Sequence, residues 1–183
     1  MIEGVLKYAT IDTADHQLEQ VDLNEIIQNI EADLELIIHE KNANVEIAKL
    51  PRVWGNALLI YQLFYNLINN SLKFSKESEH PRIQISALAS EKKPGFTEIS
   101  ITDNGIGFSN ANAEKIFDTF SRLNSKDKYE GTGLGLALCK KIVDRHNGKI
   151  FASGTENIGA VFTILLPTTN TETSIEMVKQ AAV

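Results

Sequence analysis

Apolar side chains recur every three or four residues along two stretches of the chain, which is the spacing of one face of a helix. The first stretch follows Asp22, which forms a capping-box pattern with Glu25. Its apolar positions are Leu23, Ile26, Ile27, Ile30, Leu34, Ile37 and Ile38. The second stretch follows Asn56, a favourable N-cap residue, and continues to about Ser75. The spacing therefore predicts two long amphipathic helices.

A different period, in which every second residue is apolar, predicts strands elsewhere. The predicted strands are residues 44–49, 82–89, 97–103, 149–153 and 160–166, of which the last two are expected to pair as a hairpin. Residues 110–125 have the character of a loop with one short helical piece, and residues 131–135 open a third helix that ends at Asn147 and Gly148. This order predicts an α+β sandwich, with helices covering one face of a mixed β-sheet.

The two ends of the chain differ in pattern from its middle. Residues 1–11 resemble the end of a helix that has lost its beginning, and residues 12–20 form a polar connector. Residues 21–167 carry the periodic patterns and are expected to form one domain, followed by a polar tail at 168–183. The domain boundaries are therefore predicted near residues 20 and 167.

Composition excludes several classes of function. Lys and Arg total 18 against 24 Asp and Glu, so the net charge of -6 argues against nucleic acid or an anionic bilayer as the main partner. No apolar run approaches the roughly 20 residues of a membrane span, so no direct membrane insertion is expected, although a longer parent protein could be membrane-anchored. The single cysteine, Cys139, permits no internal disulfide, which fits a reducing cytoplasm.

The second long helix carries an unusual polar stripe. Its members fall at spacings of three and four residues and are Gln62, Asn66, Asn69, Asn70 and Lys73. Each asparagine lowers helix stability by roughly half a kcal/mol relative to alanine, so several in one helix indicate a function. A solvated surface is the alternative, although Glu, Lys and Arg are the usual residues there. Because amide oxygens suit Mg²⁺ and lysine suits phosphate, the stripe favours a metal and phosphate site.

A second candidate site lies at the end of a predicted strand. Alternation places Asp103 on the same strand face as two isoleucines, toward the core, where a carboxylate needs hydrogen-bond donors. One alternative is an Asx turn in a hairpin at Asn104-Gly105, but residues 109–114 have the pattern of a loop or helix. A ligand with its own donor, such as the exocyclic amine of adenine, fits better, and Gly105 and Gly107 would let the backbone approach a flat ring.

The third candidate is the sequence GTGLGL at residues 131–136. Glycines before a helix present free backbone N–H groups and the positive end of the helix dipole, which together bind phosphate. The spacing is neither that of a dinucleotide-binding fingerprint nor that of a P-loop, and a flexible linker is the alternative.

These segments stand in the order of the sequence boxes of a known family. The N, G1, F and G2 boxes of the ATP-binding catalytic domain of sensor histidine kinases resemble residues 66–74, 103–108, 116–123 and 131–136, and a final glycine box resembles residues 159–162. The resemblance covers roughly residues 20–167. It implies a Bergerat-type fold, which is an α/β sandwich of the kind predicted above, and binding of ATP and Mg²⁺.

The resemblance also implies roles for individual residues. Asn70 would coordinate Mg²⁺, while Asn66 and Lys73 would contact phosphate or metal-bound water. Asp103 would accept a hydrogen bond from the adenine amine, and Arg122 would reach the phosphates. The implied catalytic residues are Asn70, Lys73 and Arg122. The remaining residues of the implied cofactor site are Gly105, Ile106, Gly107, Phe108, Gly131, Thr132, Gly133, Leu134, Gly135, Leu136 and, through water, Thr163.

The segment between the second and third candidates resembles the mobile lid of this family. Residues 109–131 would cover the nucleotide, with Phe117 and Phe120 as anchors. An ordinary core position is the alternative for both phenylalanines, and it is compatible with anchoring.

The phosphoacceptor histidine of the family lies in a helical hairpin and is followed by an acidic residue and soon by a proline. None of His16, His39, His80 and His146 has these surroundings, and His146, in the last turn of a helix, suits a structural imidazolium. The chain is therefore expected to lack the acceptor, with residues 1–20 as a remnant of the hairpin and linker. The resemblance implies an enzyme domain that transfers the γ-phosphoryl group of ATP to a histidine of a separate hairpin domain, with a response-regulator receiver domain as partner.

Three other functions are compatible with ATP binding. A serine or threonine kinase of the same superfamily is disfavoured by the F box. A nucleotide-binding module without transfer is disfavoured by Asn70, Asp103 and the glycine loop. A conformational ATPase of the gyrase or chaperone type would need a transducer domain in addition to the one predicted.

Overall fold

The computed structural model describes residues 17–121 and 132–170 of the chain. The strands in these ranges are β1 (Glu19–Asp22), β2 (Asn44–Ile47), β3 (Arg52–Gly55), β4 (Arg82–Ala89), β5 (Phe96–Asp103), β6 (Lys149–Thr155) and β7 (Gly159–Pro167). The α-helices are α1 (Leu23–Asp33), α2 (Glu35–Glu40), α3 (Ala57–Lys73) and α4 (Gly135–Arg145), and single 3₁₀ turns lie at Asn110–Asn112 and Lys115–Phe117. None of these helices is long and apolar enough to cross a membrane.

The main sheet has the strand order β2-β4-β5-β7-β6, with β2 parallel to β4 and the other neighbours antiparallel. Alternate side chains of its inner strands are buried in the core, among them Ile83, Ile85, Ile99, Ile101, Phe162 and Ile164. Helices α1, α3 and α4 pack beside one another over this buried face. The predicted α+β sandwich, with helices on one face of a mixed sheet, is confirmed.

Helix α3 begins where the sequence predicts. The Asn56 side chain accepts a hydrogen bond from the Leu59 backbone N–H at 3.0 Å and so caps the first turn. One face of the helix is buried along its whole length, at Leu59, Ile60, Leu63, Phe64, Leu67, Ile68, Ser71 and Leu72. The opposite face carries the asparagine stripe, so burial of the apolar face fixes the direction in which the stripe points.

Two details of the N-terminal half differ from the sequence prediction. The predicted single helix is interrupted at Leu34, where ψ is 4°, while the side chain of Leu34 stays buried. Strands β1 and β3 were not predicted, because neither segment shows an alternation of apolar and polar residues in the sequence; they pair antiparallel as a separate two-stranded sheet. The polar connector predicted at residues 12–20 therefore ends in a strand.

His146, just after α4, joins the end of α4 to the start of α3. Its side chain is 3% exposed, and its Nε2 accepts a hydrogen bond from the backbone N–H of Asn56 at 3.0 Å. A ring nitrogen that accepts must be unprotonated, so the proton lies on Nδ1, which donates to the carbonyl oxygen of Ile142 at 2.7 Å. The expected imidazolium is wrong, because the N-cap of α3 supplies a donor at this position. The His146 ring packs so closely against Gly55 that a Cβ on Gly55 would lie 2.7 Å from the ring.

Replacing His146 with alanine should destabilise the folded chain by about 2–4 kcal/mol, because it leaves a cavity and orphans the Asn56 N–H. Urea unfolding followed by circular dichroism measures this change. The matched control is His39→Ala, which removes an exposed imidazole from α2 and should change stability by less than about 0.5 kcal/mol. Equal stabilities for the two variants would contradict the joining role of His146.

Candidate functional site

An open cleft of about 830 Å³ lies between the C-terminal part of α3, the end of β5, the start of β7 and the N-terminus of α4. Many of the residues singled out in the sequence line it together. They are Asn66, Asn69, Asn70, Lys73, Asp103, Ile106, Gly107, Phe108, Thr132, Gly133, Gly135 and Leu136. The three segments that carry candidate chemistry, far apart in the sequence, thus meet at one cleft.

The Asp103 carboxylate is held by three donors from different parts of the chain. Oδ1 accepts hydrogen bonds from the backbone N–H of Gly105 at 2.9 Å and of Ala160 at 3.2 Å. Oδ2 accepts from the Ser71 hydroxyl on α3 at 3.1 Å. The donors that a buried carboxylate needs are therefore supplied by the protein itself, and they hold the carboxylate in a fixed orientation at the cleft.

Burial raises the pKa of the Asp103 carboxyl above its ordinary value of 3.8, while the hydrogen bonds from Gly105, Ala160 and Ser71 lower it. Because the pKa is raised, the effect of burial on the carboxyl is larger than the combined effect of the three hydrogen bonds. A carboxylate that remains costly after three hydrogen bonds is typical of a binding or catalytic site rather than of a structural turn.

The amide stripe of α3 faces the cleft through Asn66, Asn69 and Asn70, with Lys73 one turn further on. The side-chain amide nitrogen of Asn66 is buried and has no hydrogen-bond partner in the described structure. An orphaned donor of this kind costs about 1–3 kcal/mol, and an anionic ligand oxygen would relieve that cost. The amide oxygens of Asn66 and Asn70 are hard ligands, so the donor set fits phosphate together with Mg²⁺.

No cluster of three or more His, Cys, Asp and Glu side chains suited to a metal ion occurs in residues 17–121 and 132–170. A metal ion at the cleft would therefore need oxygen ligands from other groups, such as the amide side chains of α3 and the bound ligand itself. Mg²⁺ at nucleotide sites takes many of its ligands from water and from the phosphate oxygens of the substrate.

Helix α4 begins at Gly135 beside the amide stripe. Its N-cap residue, Leu134, makes no side-chain hydrogen bond to the first turn, so backbone N–H groups there are left for a ligand. The Asn66 side-chain oxygen is 3.9 Å from the position that a Cβ on Gly135 would occupy. The helix terminus and the orphaned amide thus adjoin one another, which makes this end of the cleft suited to phosphate.

Several residues of the implied site are placed elsewhere. Thr163 pairs with Ser100 and Phe151 in the sheet, and it faces away from the helices. Its neighbours Ala160 and Phe162, on the opposite face of β7, line the cleft instead. The prediction for Thr163 is therefore wrong, because strand alternation turns it to the outer face of the sheet.

The two glycines after Asp103 serve the packing of the protein itself. A Cβ on Gly105 would lie 2.6 Å from the carbonyl oxygen of Phe74, and Gly105 does not line the cleft. Gly107 does line it, but its φ of 59° and a distance of 2.0 Å from a would-be Cβ to the Thr155 carbonyl oxygen already require glycine. Packing within the protein therefore already requires glycine at both positions.

The predicted lid is described only as far as residue 121. Phe117 is buried in the core, as an anchor requires, whereas Phe120 is 60% exposed with a φ of 63°. The backbone N–H of Phe120 donates to the carbonyl oxygen of Gly133 at 3.0 Å, so this residue contacts the glycine-rich segment before α4 through its backbone. Leu134 is buried and does not line the cleft. Arg122 and Gly131 lie outside the described residues.

Other residues that line the cleft were not assigned a role from the sequence. They are Ile37, Lys41, Ser71, Phe74, Ser75, Glu77, Ile116, Ser121, Ala160 and Phe162. A signal existed for Ser71, a small polar residue within the otherwise apolar face of α3. Lys41 gave no signal, because a lysine at the end of an amphipathic helix is ordinary.

The raised pKa of Asp103 has a consequence for stability. The folded chain binds the Asp103 proton more tightly than the unfolded chain, so the resulting stabilisation is present below pH 3.8 and is lost as the pH rises through the folded pKa. Asp103→Asn should therefore be more stable than the wild type at pH 7, and this advantage should shrink toward pH 4. The asparagine amide can donate to Ser71 Oγ, which has the Leu67 carbonyl oxygen as its own acceptor.

Urea unfolding of the nucleotide-free proteins at several pH values tests this expectation. Asp144→Asn, an exposed site on α4, is the control. An Asp103→Asn variant that is less stable at pH 7 and has no pH-dependent difference from the wild type would contradict it.

Comparison with known proteins agrees with this geometry. Residues 55–170 match the family described as histidine kinase-, DNA gyrase B-, and HSP90-like ATPase. The phytochrome-like protein Cph1 of Synechocystis is 36% identical over 170 residues, which is 93% of this chain but only 22% of Cph1. The chain thus spans about a fifth of the length of this relative.

Solved structures show the same fold. The catalytic domain of histidine kinase ThkA superposes with a TM-score of 0.70 and 28% identity, covering 84% of this chain and 99% of its own. ThkA in complex with the response regulator TrrA has a TM-score of 0.68 and 25% identity, over 92% of this chain and 47% of that one. Full-length ShkA in complex with AMPPNP has a TM-score of 0.76 and 23% identity, and the match covers 91% of this chain and 35% of the ShkA chain.

The family match covers more than half of the chain and includes α3, the Asp103 turn and the glycine-rich start of α4. The similar proteins include the sensor histidine kinase WalK of Bacillus subtilis, which is 32% identical over 91% of this chain and 28% of its own length, and the similar structures include the catalytic domain of the histidine kinase ThkA. This chain therefore belongs to the histidine kinase-, DNA gyrase B-, and HSP90-like ATPase family, on its histidine kinase branch, and has the Bergerat fold of that family.

Proposed function

We propose that the cleft binds ATP with Mg²⁺ and presents its γ-phosphoryl group to a histidine on a separate helical hairpin domain, as one step of two-component signalling. The observation that carries the proposal is the opposite chemistry of the two ends of the cleft. A fixed carboxylate acceptor lies at one end, and an orphaned amide donor beside a helix N-terminus lies at the other.

The resemblance to structures with ligands supports the same assignment. ShkA was crystallised with AMPPNP and ThkA with a response regulator. By analogy, the partners of this chain are ATP, a phosphoacceptor hairpin and a response-regulator receiver domain. We assign the reaction to the cytoplasm, where ATP is available and a lone cysteine needs no disulfide partner.

Each end of the cleft has a defined task in this proposal. Asp103, held by Ser71, Gly105 and Ala160, accepts a hydrogen bond from the exocyclic amine of adenine. Asn66 and Lys73, with the first N–H groups of α4, bind the phosphates, and Asn70 holds Mg²⁺. When bound, the metal ion supplies neutralisation of the negative charge shared by the phosphate oxygens.

Transfer requires positioning more than covalent help from the protein. The acceptor imidazole nitrogen forms a bond to the γ-phosphorus while the bond from that phosphorus to the β–γ bridging oxygen breaks, and ADP leaves with the electron pair. The imidazole N–H proton is released. Lys73 and Asn70 hold the triphosphate so that the leaving oxygen lies opposite the incoming nitrogen. Arg122, outside the described residues, is proposed to assist them.

The histidines of the described chain are not placed to receive the phosphoryl group. His39 and His80 are exposed, His146 is buried with both ring nitrogens hydrogen-bonded, and none of the three lines the cleft. The acceptor is therefore proposed to come from another domain.

Asn70→Ala should remove the dependence of ATP affinity on Mg²⁺ while leaving the fold intact, because Asn70 belongs to the polar face of α3. Isothermal calorimetry of ATP with and without Mg²⁺ measures this. Gln62→Ala is the matched control, since Gln62 lies on the same stripe but does not line the cleft. If Mg²⁺ strengthens ATP binding to Asn70→Ala as it does in the wild type, the metal is held elsewhere.

Phosphotransfer tests the proposed function as a whole. The chain is incubated with γ-labelled ATP and Mg²⁺, alone and with a separately made hairpin domain of a histidine kinase. We expect acid-labile label on the hairpin and none on this chain, with weaker transfer by Asp103→Asn at low ATP concentration. Label on this chain alone that is lost in His39→Gln, or acid-stable label on the hairpin, would contradict the proposal.

A further inference from the structure

Two lysines line the cleft among the described residues, and the proposed function uses only Lys73. The other, Lys41, is the C-cap residue of α2. Its Nζ donates to Ser75 Oγ at 2.9 Å, and Ser75, which is 9% exposed, donates in turn to the carbonyl oxygen of Leu72. A hydroxyl group anchored on α3, and not a carboxylate, thus holds the lysine head at the cleft.

The position of Lys41 along the cleft follows from the two serines. Ser71 Oγ bonds to Asp103, and Ser75 Oγ bonds to Lys41 four residues later. The backbone N–H of Phe74 still bonds to the carbonyl oxygen of Asn70, so the helical path continues between them. Four residues are about one turn, or roughly 6 Å of rise, so Lys41 lies about one turn beyond Asp103.

The phosphate end of the cleft lies in the other direction. Asn66, whose amide is orphaned, is more than one turn before Ser71 on α3, and it adjoins Gly135 at the start of α4. Lys41 is instead at the end where Asp103 lies.

The surroundings of Lys41 suit a flat, partly apolar group. Ile37, one turn earlier on α2, lines the cleft with it, so an apolar side chain and an ammonium group stand together on one wall. Lys41, Ser75 and Glu77 also line a smaller adjoining hollow of about 390 Å³, so these three residues lie at the boundary between the two spaces. A nucleoside offers the matching chemistry, because its ring and sugar are apolar on their faces and carry acceptor nitrogens and hydroxyls at their edges.

We propose that Lys41 is a further nucleotide-binding residue, which donates a hydrogen bond to the nucleoside portion of ATP and not to its phosphates. This inference rests on the proposed function of the cleft. Lys41 adds a donor at the end where Asp103 supplies an acceptor. The two residues together can therefore bind both an acceptor and a donor group of the nucleoside.

The test is calorimetric titration of Lys41→Met with ATP, ADP and AMP. Methionine keeps the length of the side chain and removes its donors. Affinity for all three nucleotides should fall by a similar factor, roughly three- to tenfold for one hydrogen bond, with the Mg²⁺ dependence unchanged. Lys49→Met, an exposed lysine outside the cleft with the same change of charge, should bind as the wild type does.

A second variant keeps the inference testable should Lys41→Met fold poorly. Ser75→Ala removes the hydrogen-bond partner of Lys41, so it should weaken the binding of all three nucleotides by a smaller factor than Lys41→Met does. The double variant should lose no more affinity than Lys41→Met alone. Unchanged affinities, or a loss that grows with the number of phosphates, would overturn the assignment while leaving the proposed function standing. A wild-type chain that binds none of the three nucleotides would overturn both.

Discussion

The three hydrogen bonds that converge on the Asp103 carboxylate join the helix layer to the sheet at the floor of the cleft. The three donors are Ser71 on α3, Gly105 in the turn after β5 and Ala160 at the start of β7. Ala160 also pairs with Asp103 in the β5–β7 register, so the sheet itself fixes the donor. Because burial still raises the pKa of this carboxyl, the arrangement holds a charge that the fold alone would not favour.

Helix α3, which the Ser71–Asp103 hydrogen bond ties to the sheet, forms one side of the cleft. Its apolar face is buried against the sheet and the neighbouring helices, which orients the stripe of Asn66, Asn70 and Lys73 toward the cleft. At its N-terminus, Asn56 is tied to His146 after α4, so the two helices that flank the phosphate end are joined at their opposite ends. In the proposed function, the phosphate groups of ATP meet donors that are already in place, which reduces the ordering needed on binding.

The sequence predicted those parts of the fold and site that local periodicity determines. Strand β4 and the start and face of α3 follow from alternation and capping, and Asp103 follows from its inward position among isoleucines. The short strands β1 and β3 could not be predicted, because they exist through pairing with each other and not through a local pattern.

Errors in the site have the same origin. Thr163 and its neighbour Phe162 occupy opposite faces of β7, and the packing of the helices against one face of the sheet decides which of them meets the cleft. The position of Lys41 depends on a contact with Ser75, 34 residues away, which a single sequence does not display. The exposed Phe120 and the neutral His146 were likewise determined by tertiary hydrogen bonds to Gly133 and Asn56.

The most direct test of the central role of Asp103 is the ATP affinity of Asp103→Asn, measured by calorimetry in the presence of Mg²⁺ beside the exposed control Asp144→Asn. The account predicts a folded Asp103→Asn protein whose affinity falls by about 1.5–3 kcal/mol, or roughly ten- to a hundredfold, the value of one hydrogen bond to a charged group. It predicts no change for Asp144→Asn. Wild-type affinity in Asp103→Asn would contradict the account, because the carboxylate would then have no part in holding the nucleotide.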